Sequence, residues 1–276
     1  MSLLLSPMTP VEELPLTFVD VETTGLEPSS GDRVCEIALL RVQGGQEVAR
    51  FTSLVHPQRL MHPAAMAVHG ITDAMLATAP PFAALIPDIQ LLLHNTVLVA
   101  HNAHFDVRFL RHEFELAHQE LPQLPIADTL ALAQAWYRFP HNSLQSIAAE
   151  LGLSNAVRHR AMADVLTTWQ IWQHFVVDKH REEPLTLARV IHPKDRRSRA
   201  ELEALTTLLQ EALQASQPLH MRYKASNAAE TLRVIQPLEL HYRRGYGYLR
   251  AFCHMRRDER HFRFDRIVEL KPLSED

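Results

Sequence analysis

Cysteine is scarce in this chain, with Cys35 and Cys253 the only two in 276 residues. They lie far apart and form neither a CxxC nor a Cys/His ligand spacing, which argues against a disulfide framework or a structural zinc and for a reducing compartment. No apolar run approaches the roughly 20 residues that a membrane-spanning helix needs. The N-terminal Met1-Ser-Leu-Leu-Leu-Ser-Pro7 has no basic residue and only three consecutive leucines, too little for a secretory leader. A soluble, cytoplasmic protein is expected. Internal repeats and low-complexity tracts are also missing.

What is present is enough apolar material for a sizeable core, 46% of 276 residues against 22% charged, and a length that suits two domains. The net charge of −4 conceals an asymmetry. Residues 191–276 hold 16 Lys and Arg against 12 Asp and Glu, leaving 12 and 20 for residues 1–190. The two parts therefore carry +4 and −8. The basic part is a candidate for phosphate contacts, and an ordinary solvated face explains it equally well.

The apolar pattern predicts strands over Leu16–Val21, Val34–Val42 and Gln46–Val55, the last two joined by a turn at Gly44-Gly45. Residues 56–70 show no period and read as loop, followed by one turn of helix over Asp73–Ala77 capped by Thr72. Helical spacing over Pro81–Leu93, a buried strand over Thr96–Ala100 and helical spacing over His104–Glu120 come next. Thr129–Trp136, Leu144–Leu151 behind a Ser143 cap, and Met162–Val177 complete an α/β domain. The charged Asp178–Arg199, broken by Pro184 and Pro193, reads as a solvated linker. Beyond it come an amphipathic helix over Glu201–Ala215 and strands over Leu219–Tyr223, Thr231–Tyr242, Tyr246–Cys253, His261–Phe264 and Ile267–Leu270, a small, mostly β unit.

Three motifs carry chemistry. The first, Asp20-Val-Glu-Thr-Thr-Gly-Leu26, puts two acids on one strand face about 6.6 Å apart along the chain, close enough to share a cation; two acids closing a strand at a solvated turn is the plainer reading. The second, His101-Asn-Ala-His-Phe-Asp106, fixes four identities. At about 5% usage each, these arise by chance in on the order of one chain per thousand of this length. Asp106 falls in the first turn of a helix, where it can either meet a ligand or cap the helix. An HxxH zinc site at His101 and His104 lacks a third soft ligand. The third motif, His159-Arg-Ala-Met-Ala-Asp164, spaces its ends five apart, about 140° around a continuous helix. Both can point into one cleft only if His159 precedes the helix. An Arg160–Asp164 ion pair would give only about 0.3–0.5 kcal/mol.

Several carboxylates converging in one cleft repel, and some take up protons unless divalent cations neutralise them. All-oxygen ligands favour Mg²⁺ or Mn²⁺ over zinc, and two such ions can stabilise the attacking and leaving oxygens of an in-line phosphodiester cleavage.

With these motifs, and with Val68-His-Gly-Ile-Thr72 and Asp128-Thr-Leu130 in the same order, residues 14–178 resemble the DEDDh exonucleases, similar to the proofreading epsilon subunits of bacterial DNA polymerase III. Arg160 stands where the tyrosine subclass would have Tyr. The resemblance implies an RNase H-like mixed sheet flanked by helices. It makes Asp20, Glu22, Asp106 and Asp164 the ligands of two ions and His159 the general base, with activity rising with pH through a histidine titration. It also implies contacts to the terminal nucleotide from the backbone near Thr23 and Thr24, from Leu26 as an apolar wedge, and from His101 and Asn102.

Residues from about 203 to 272 resemble a WYL domain, a small Sm-like barrel, through Tyr248-Leu-Arg-Ala-Phe-Cys253 and Arg260-His-Phe-Arg-Phe-Asp-Arg-Ile267, with Gly247 in place of the first signature letter. Tyr248, Arg260, Arg263 and Arg266 are its expected contacts to nucleic acid or a nucleotide. The rival is that Tyr248 and Phe262 are core and Asp265 pairs with an arginine. Trp136, Trp169 and Trp172, at helical spacing, read as core.

The expectation is an α/β RNase H-like domain over 12–178, a linker over 179–199 and a mostly β WYL domain over 200–276. The expected activity is 3′ to 5′ hydrolysis of single-stranded ends using Mg²⁺ or Mn²⁺, with DNA favoured over RNA and nucleoside 5′-monophosphates released. Two other readings stay open: a nucleic-acid or nucleotide binding module with a vestigial nuclease site, which the intact set of five residues disfavours, and an exoribonuclease of the same family.

Overall fold

A computed structural model describes residues 5–153, 159–181, 183–226, 229–243 and 245–273. Its first sheet has the order β3-β2-β1-β4-β5, built from β1 (Leu16–Thr23), β2 (Val34–Gln43), β3 (Gln46–Leu54), β4 (Val97–Ala100) and β5 (Ile126–Asp128). β1 pairs antiparallel with β2 and parallel with β4, so the sheet is mixed, as expected. Gly44 and Gly45 adopt φ of 56° and 73°, the positive values that a two-residue hairpin turn requires.

One face of this sheet is covered by α3 (Phe82–Leu93) and α4 (Ala103–Leu116), the other by α5 (Thr129–Trp136), α6 (Leu144–Glu150), α7 (Ala161–His180) and α8 (Leu187–Ile191). The short α1 (Pro63–His69) and α2 (Asp73–Leu76) lie between β3 and α3. Alternation along β1 sends Val19 and Val21 to the α3–α4 side and Leu16 and Phe18 to the other, as a period of two demands. Trp172 packs edge-on against Phe18 with ring centroids 6.2 Å apart. Trp136 and Trp169 pack at the margin of that core.

The expected solvated linker is a correction. α7 continues to His180, and Leu185, Leu187, Ala188, Val190 and Ile191 are buried, all but Ala188 in the nuclease core. The N-terminal segment straps this stretch down: Val11 N–H donates to Leu185 O (3.0 Å), and Leu187 N–H to Thr9 O (2.9 Å). Those apolar residues are too closely spaced to show a helical period among the surrounding charges.

The second sheet is antiparallel throughout, in the order β10-β6-β7-β8-β9. It comprises β6 (Leu219–Tyr223), β7 (Thr231–Arg243), β8 (Tyr246–Cys253), β9 (Asp258–Arg263) and β10 (Ile267–Pro272), with α9 (Arg199–Ala215) packed on it behind a Ser198–Glu201 capping box. The β7–β8 hairpin reaches the nuclease sheet. Ile126 N–H on β5 donates to Gly245 O at 3.3 Å, and the Tyr242 hydroxyl donates to Leu5 O at 2.7 Å. Among the described residues no helix is long and apolar enough to cross a membrane.

Candidate active site

The site lies at the end of β1, where the inward face changes from Leu16 and Phe18 to Asp20 and Glu22. Antiparallel register sets Ala38 opposite Asp20 and Glu36 opposite Glu22, and the ladder shifts between Glu22 and Thr23. Such irregularities re-aim side chains next to functional sites.

From the neighbouring strand β4 the chain turns through Asn102, which holds a left-handed φ of 63°, into α4. Asp106 sits in its first turn, 2% exposed, and accepts a hydrogen bond from Val21 N–H at 3.1 Å. It therefore stitches α4 to β1 rather than capping its own helix. His159 precedes α7 with φ of 54°, and Asp164 lies one turn inside, held by Gln145 Nε2 at 3.1 Å. Left-handed backbone at a residue with a side chain is strained and clusters at functional sites.

Glu22, His159 and Asp164 offer ligand atoms that all lie within 4.8 Å of one another. Asp20 is in the same field. Burial first, then the charges of Asp106, Glu22, Asp164 and Glu36, push its carboxyl well above the ordinary range. Burial and the charges of Asp164 and Glu36 raise Glu22 to about 8. Burial also raises Asp106 and Asp164, the latter opposed by His159 and by hydrogen bonds from the His159 backbone and Gln145. Buried carboxylates that raise one another are the donor set a divalent cation neutralises, so the residues fit such an ion.

Arg160 does not pair with Asp164. Its guanidinium forks onto Glu36, with Nη2 to Oε1 at 2.6 Å, and Ala161 N–H donates to Glu36 Oε2 at 3.0 Å. Glu36, 4% exposed, thereby fixes the start of α7 and with it the His159–Asp164 pair. A single acid within a strand of apolar residues belongs to no motif, so the sequence alone does not mark it.

Thr23 and Thr24 are buried, while Leu26 stands 78% exposed. His69, 7% exposed, fixes this loop from below. Its Nδ1 accepts from Ile71 N–H (3.0 Å), and its Nε2 lies 3.3 Å from Thr23 O. Burial lowers its pKa, which favours the neutral ring this pairing uses. His101 Nε2 donates to Asn142 O (2.9 Å) and its Nδ1 faces the Thr129 hydroxyl (2.9 Å), so it braces the cleft. Asn102 is exposed, and its N–H donates to Asp128 Oδ1 at 3.0 Å. His101 and His104 join no metal-ligand cluster among the described residues.

Of the expected WYL contacts, Tyr248 and Arg263 stand opposite each other across β8 and β9. Arg263 forks onto Asp265 (2.6 Å) and covers the Tyr246 ring at 3.9 Å. Arg260, three positions away on β9 and hence on the opposite face, is exposed beside Asp258. Arg266 follows in a short 3₁₀ turn, and Tyr248 is half-buried with its ring stacked on His241. Phe262 is core at 4% exposure.

An exonuclease family model matches residues 17–172 and a WYL-domain model residues 204–272. The DNA polymerase III subunit epsilon of Treponema pallidum is 31% identical over 200 residues, covering 71% of this chain and 92% of that protein. A DNA polymerase III subunit epsilon-like protein of Rhodobacter capsulatus is 38% identical over 165 residues, covering 58% of this chain and 23% of that protein. The chain thus spans less than a quarter of that longer relative. Among solved structures, the zinc-bound E. coli ExoI–ssDNA complex aligns with a TM-score of 0.56 at 21% identity, covering 87% of this chain and 55% of that one. The nuclease domain of 3′hExo bound to rAMP aligns at 0.54 and 16% identity, covering 62% and 95%. Both agree with the RNase H-like fold. By the match over 17–172 and the likeness to the Treponema protein along nearly its whole length, this chain belongs to the exonuclease family.

Proposed function

We propose that this protein is a divalent-metal-dependent 3′ to 5′ exonuclease that removes nucleoside 5′-monophosphates from single-stranded ends, DNA before RNA. The observation that carries the reading is the convergence of Glu22, His159 and Asp164 within 4.8 Å, in a cleft where burial and neighbouring acids raise Asp20 and Asp106. DNA is favoured because the two relatives described above, at 31% and 38% identity, are named as a DNA polymerase III epsilon subunit and an epsilon-like protein.

In this reading Asp20, Glu22, Asp106 and Asp164 hold two Mg²⁺ or Mn²⁺ ions, which supply the positive charge that stabilises the attacking and leaving oxygens. His159 takes the proton of the attacking water through a ring nitrogen. Leu26 wedges against the last base, and backbone groups near Thr23 and Thr24 meet the terminal 3′-hydroxyl, with His101 and Asn102 shaping the floor. The WYL domain holds or senses nucleic acid or a nucleotide through Tyr248, Arg260, Arg263 and Arg266.

The test is incubation of matched 3′- and 5′-labelled DNA and RNA strands with purified protein in Mg²⁺ or Mn²⁺, with chelator and Asp20→Ala controls. Mononucleotides released from the 3′ end of DNA, and lost in both controls, are expected. Metal-independent release, or an active Asp20→Ala, rules the mechanism out, and faster loss of RNA makes the enzyme an exoribonuclease. Arg263→Ala with Arg266→Ala tests the WYL role, because unchanged substrate affinity and salt dependence remove it.

A further inference from the structure

Between the N-terminal strap, α8 and the β7–β8 hairpin lies a cavity of about 200 Å³. Pro7, His192, Tyr242, Gly247, Tyr248 and Phe264 are among its walls, and among the described residues no Lys, Arg, Asp or Glu is. The space lies where residue 247 lacks a side chain: a Cβ there would stand 3.7 Å from Phe264 and Tyr242 and 3.8 Å from His192 Nε2.

His192 is 4% exposed, and neither of its ring nitrogens has a hydrogen-bond partner. Nδ1 is 3.7 Å from Asp265 Oδ2, outside hydrogen-bonding distance. The ring is stacked 5.6 Å from that of Tyr246, which fixes its plane. Burial pushes its pKa down to about 4, so near neutral pH it presents one N–H donor and one bare acceptor nitrogen. A second buried nitrogen on the wall, His241 Nδ1, is also unpartnered. Orphaned buried polar atoms are rare and costly enough to demand a reason.

The chemistry of the walls defines what would answer them. An apolar cavity of about 150 Å³ accepts benzene, so this one has room for a somewhat larger ring. The arginines in the field of His192 are spent, Arg263 forked onto Asp265 and stacked on Tyr246 and Arg197 paired with Asp195, so among the described residues no free cation stands on the wall for a phosphate. We propose that this cavity binds an uncharged, planar aromatic heterocycle of one or two fused rings, whose ring-nitrogen edge hydrogen-bonds the His192 imidazole. The site is separate from the nuclease cleft and stands whether or not the nuclease reading holds.

The test titrates the full chain with benzimidazole, with adenine and with adenosine 5′-monophosphate near neutral pH, following heat and the side-chain ¹⁵N resonances of histidine. One saturable site for the neutral rings is expected, with the His192 resonance moving and the monophosphate bound about tenfold more weakly, a difference of about 1.4 kcal/mol. Gly247→Leu, which fills the space, and the milder Gly247→Ala weaken binding in that order. His192→Phe weakens it while leaving the melting temperature unchanged or higher, since it removes unpaired polar atoms; a histidine kept only for structure would lower it. Absence of saturable binding, binding untouched by Gly247→Leu and His192→Phe, or a monophosphate bound as tightly as adenine overturns the proposal.

Discussion

At Glu22 the same surroundings that suit a cation also favour a proton, and pH separates the two. Its carboxyl rises from 4.5 to about 8, by burial and then by Asp164 and Glu36. Without metal, the folded state keeps a proton that the unfolded chain releases across that window, so stability falls as pH climbs through it. Thermal melts without metal should decline from the bottom of the window to the top. Mn²⁺ should raise the melting temperature most near the top, and a metal-induced rise that is independent of pH contradicts the linkage. His159→Ala should lower kcat by about 10²–10⁴-fold while the Mn²⁺-induced rise in melting temperature persists. Turnover retained in that variant removes the histidine as base.

The elements differ in how openly the sequence announces them. Thr129–Trp136, Leu219–Tyr223 and Tyr246–Cys253 are observed at their expected bounds, because each has clear periodicity and polar punctuation at its ends. α1 (Pro63–His69) falls in a stretch whose pattern predicts loop, although Pro63 at its first position and Gly70 after its last are helix-boundary signals. Histidines and small residues blur its period. β5 is only three residues long, too short to alternate. Motif order marks the four acids and His159, and His69 stands in the Val68–Thr72 motif though its bracing role is not evident there; Glu36 and Gln145 have no motif, since each acts through a partner distant in sequence. The Glu36–Arg160 fork is the element-scale test. Arg160→Met leaves a buried carboxylate unpaired and should cost about 1–3 kcal/mol, with lower activity as the head of α7 loosens. Glu36→Gln combined with Arg160→Met should recover much of the stability in denaturant melts; full additivity of the two losses contradicts a direct pairing.

Across the whole molecule, residues 179–199 bind the two sheets together instead of separating them. A chain ending at residue 178 loses Leu187, Val190 and Ile191 from the nuclease core, so it should fold poorly, whereas one ending just after α8 should retain more of the native melting cooperativity. Equal stability of the two shortened chains contradicts this. Gly245 is the other junction. Its φ is +81°, and a Cβ there would come within 2.7 Å of the Ile126 side chain. Gly245→Val should therefore detach the hairpin from β5 and split one unfolding transition into two in calorimetry; a single unshifted transition counts against a coupled interface.

The bond from Ile126 to Gly245 closes the outer margin of the nuclease sheet with a strand tip from the other domain. A margin so covered cannot recruit a foreign strand. Two residues further along β5, Asp128 grips the amides of Asn102 and Leu130. Deuterium uptake at the Ile126 amide is thus a reporter of how often the halves part, readable without substrate or metal.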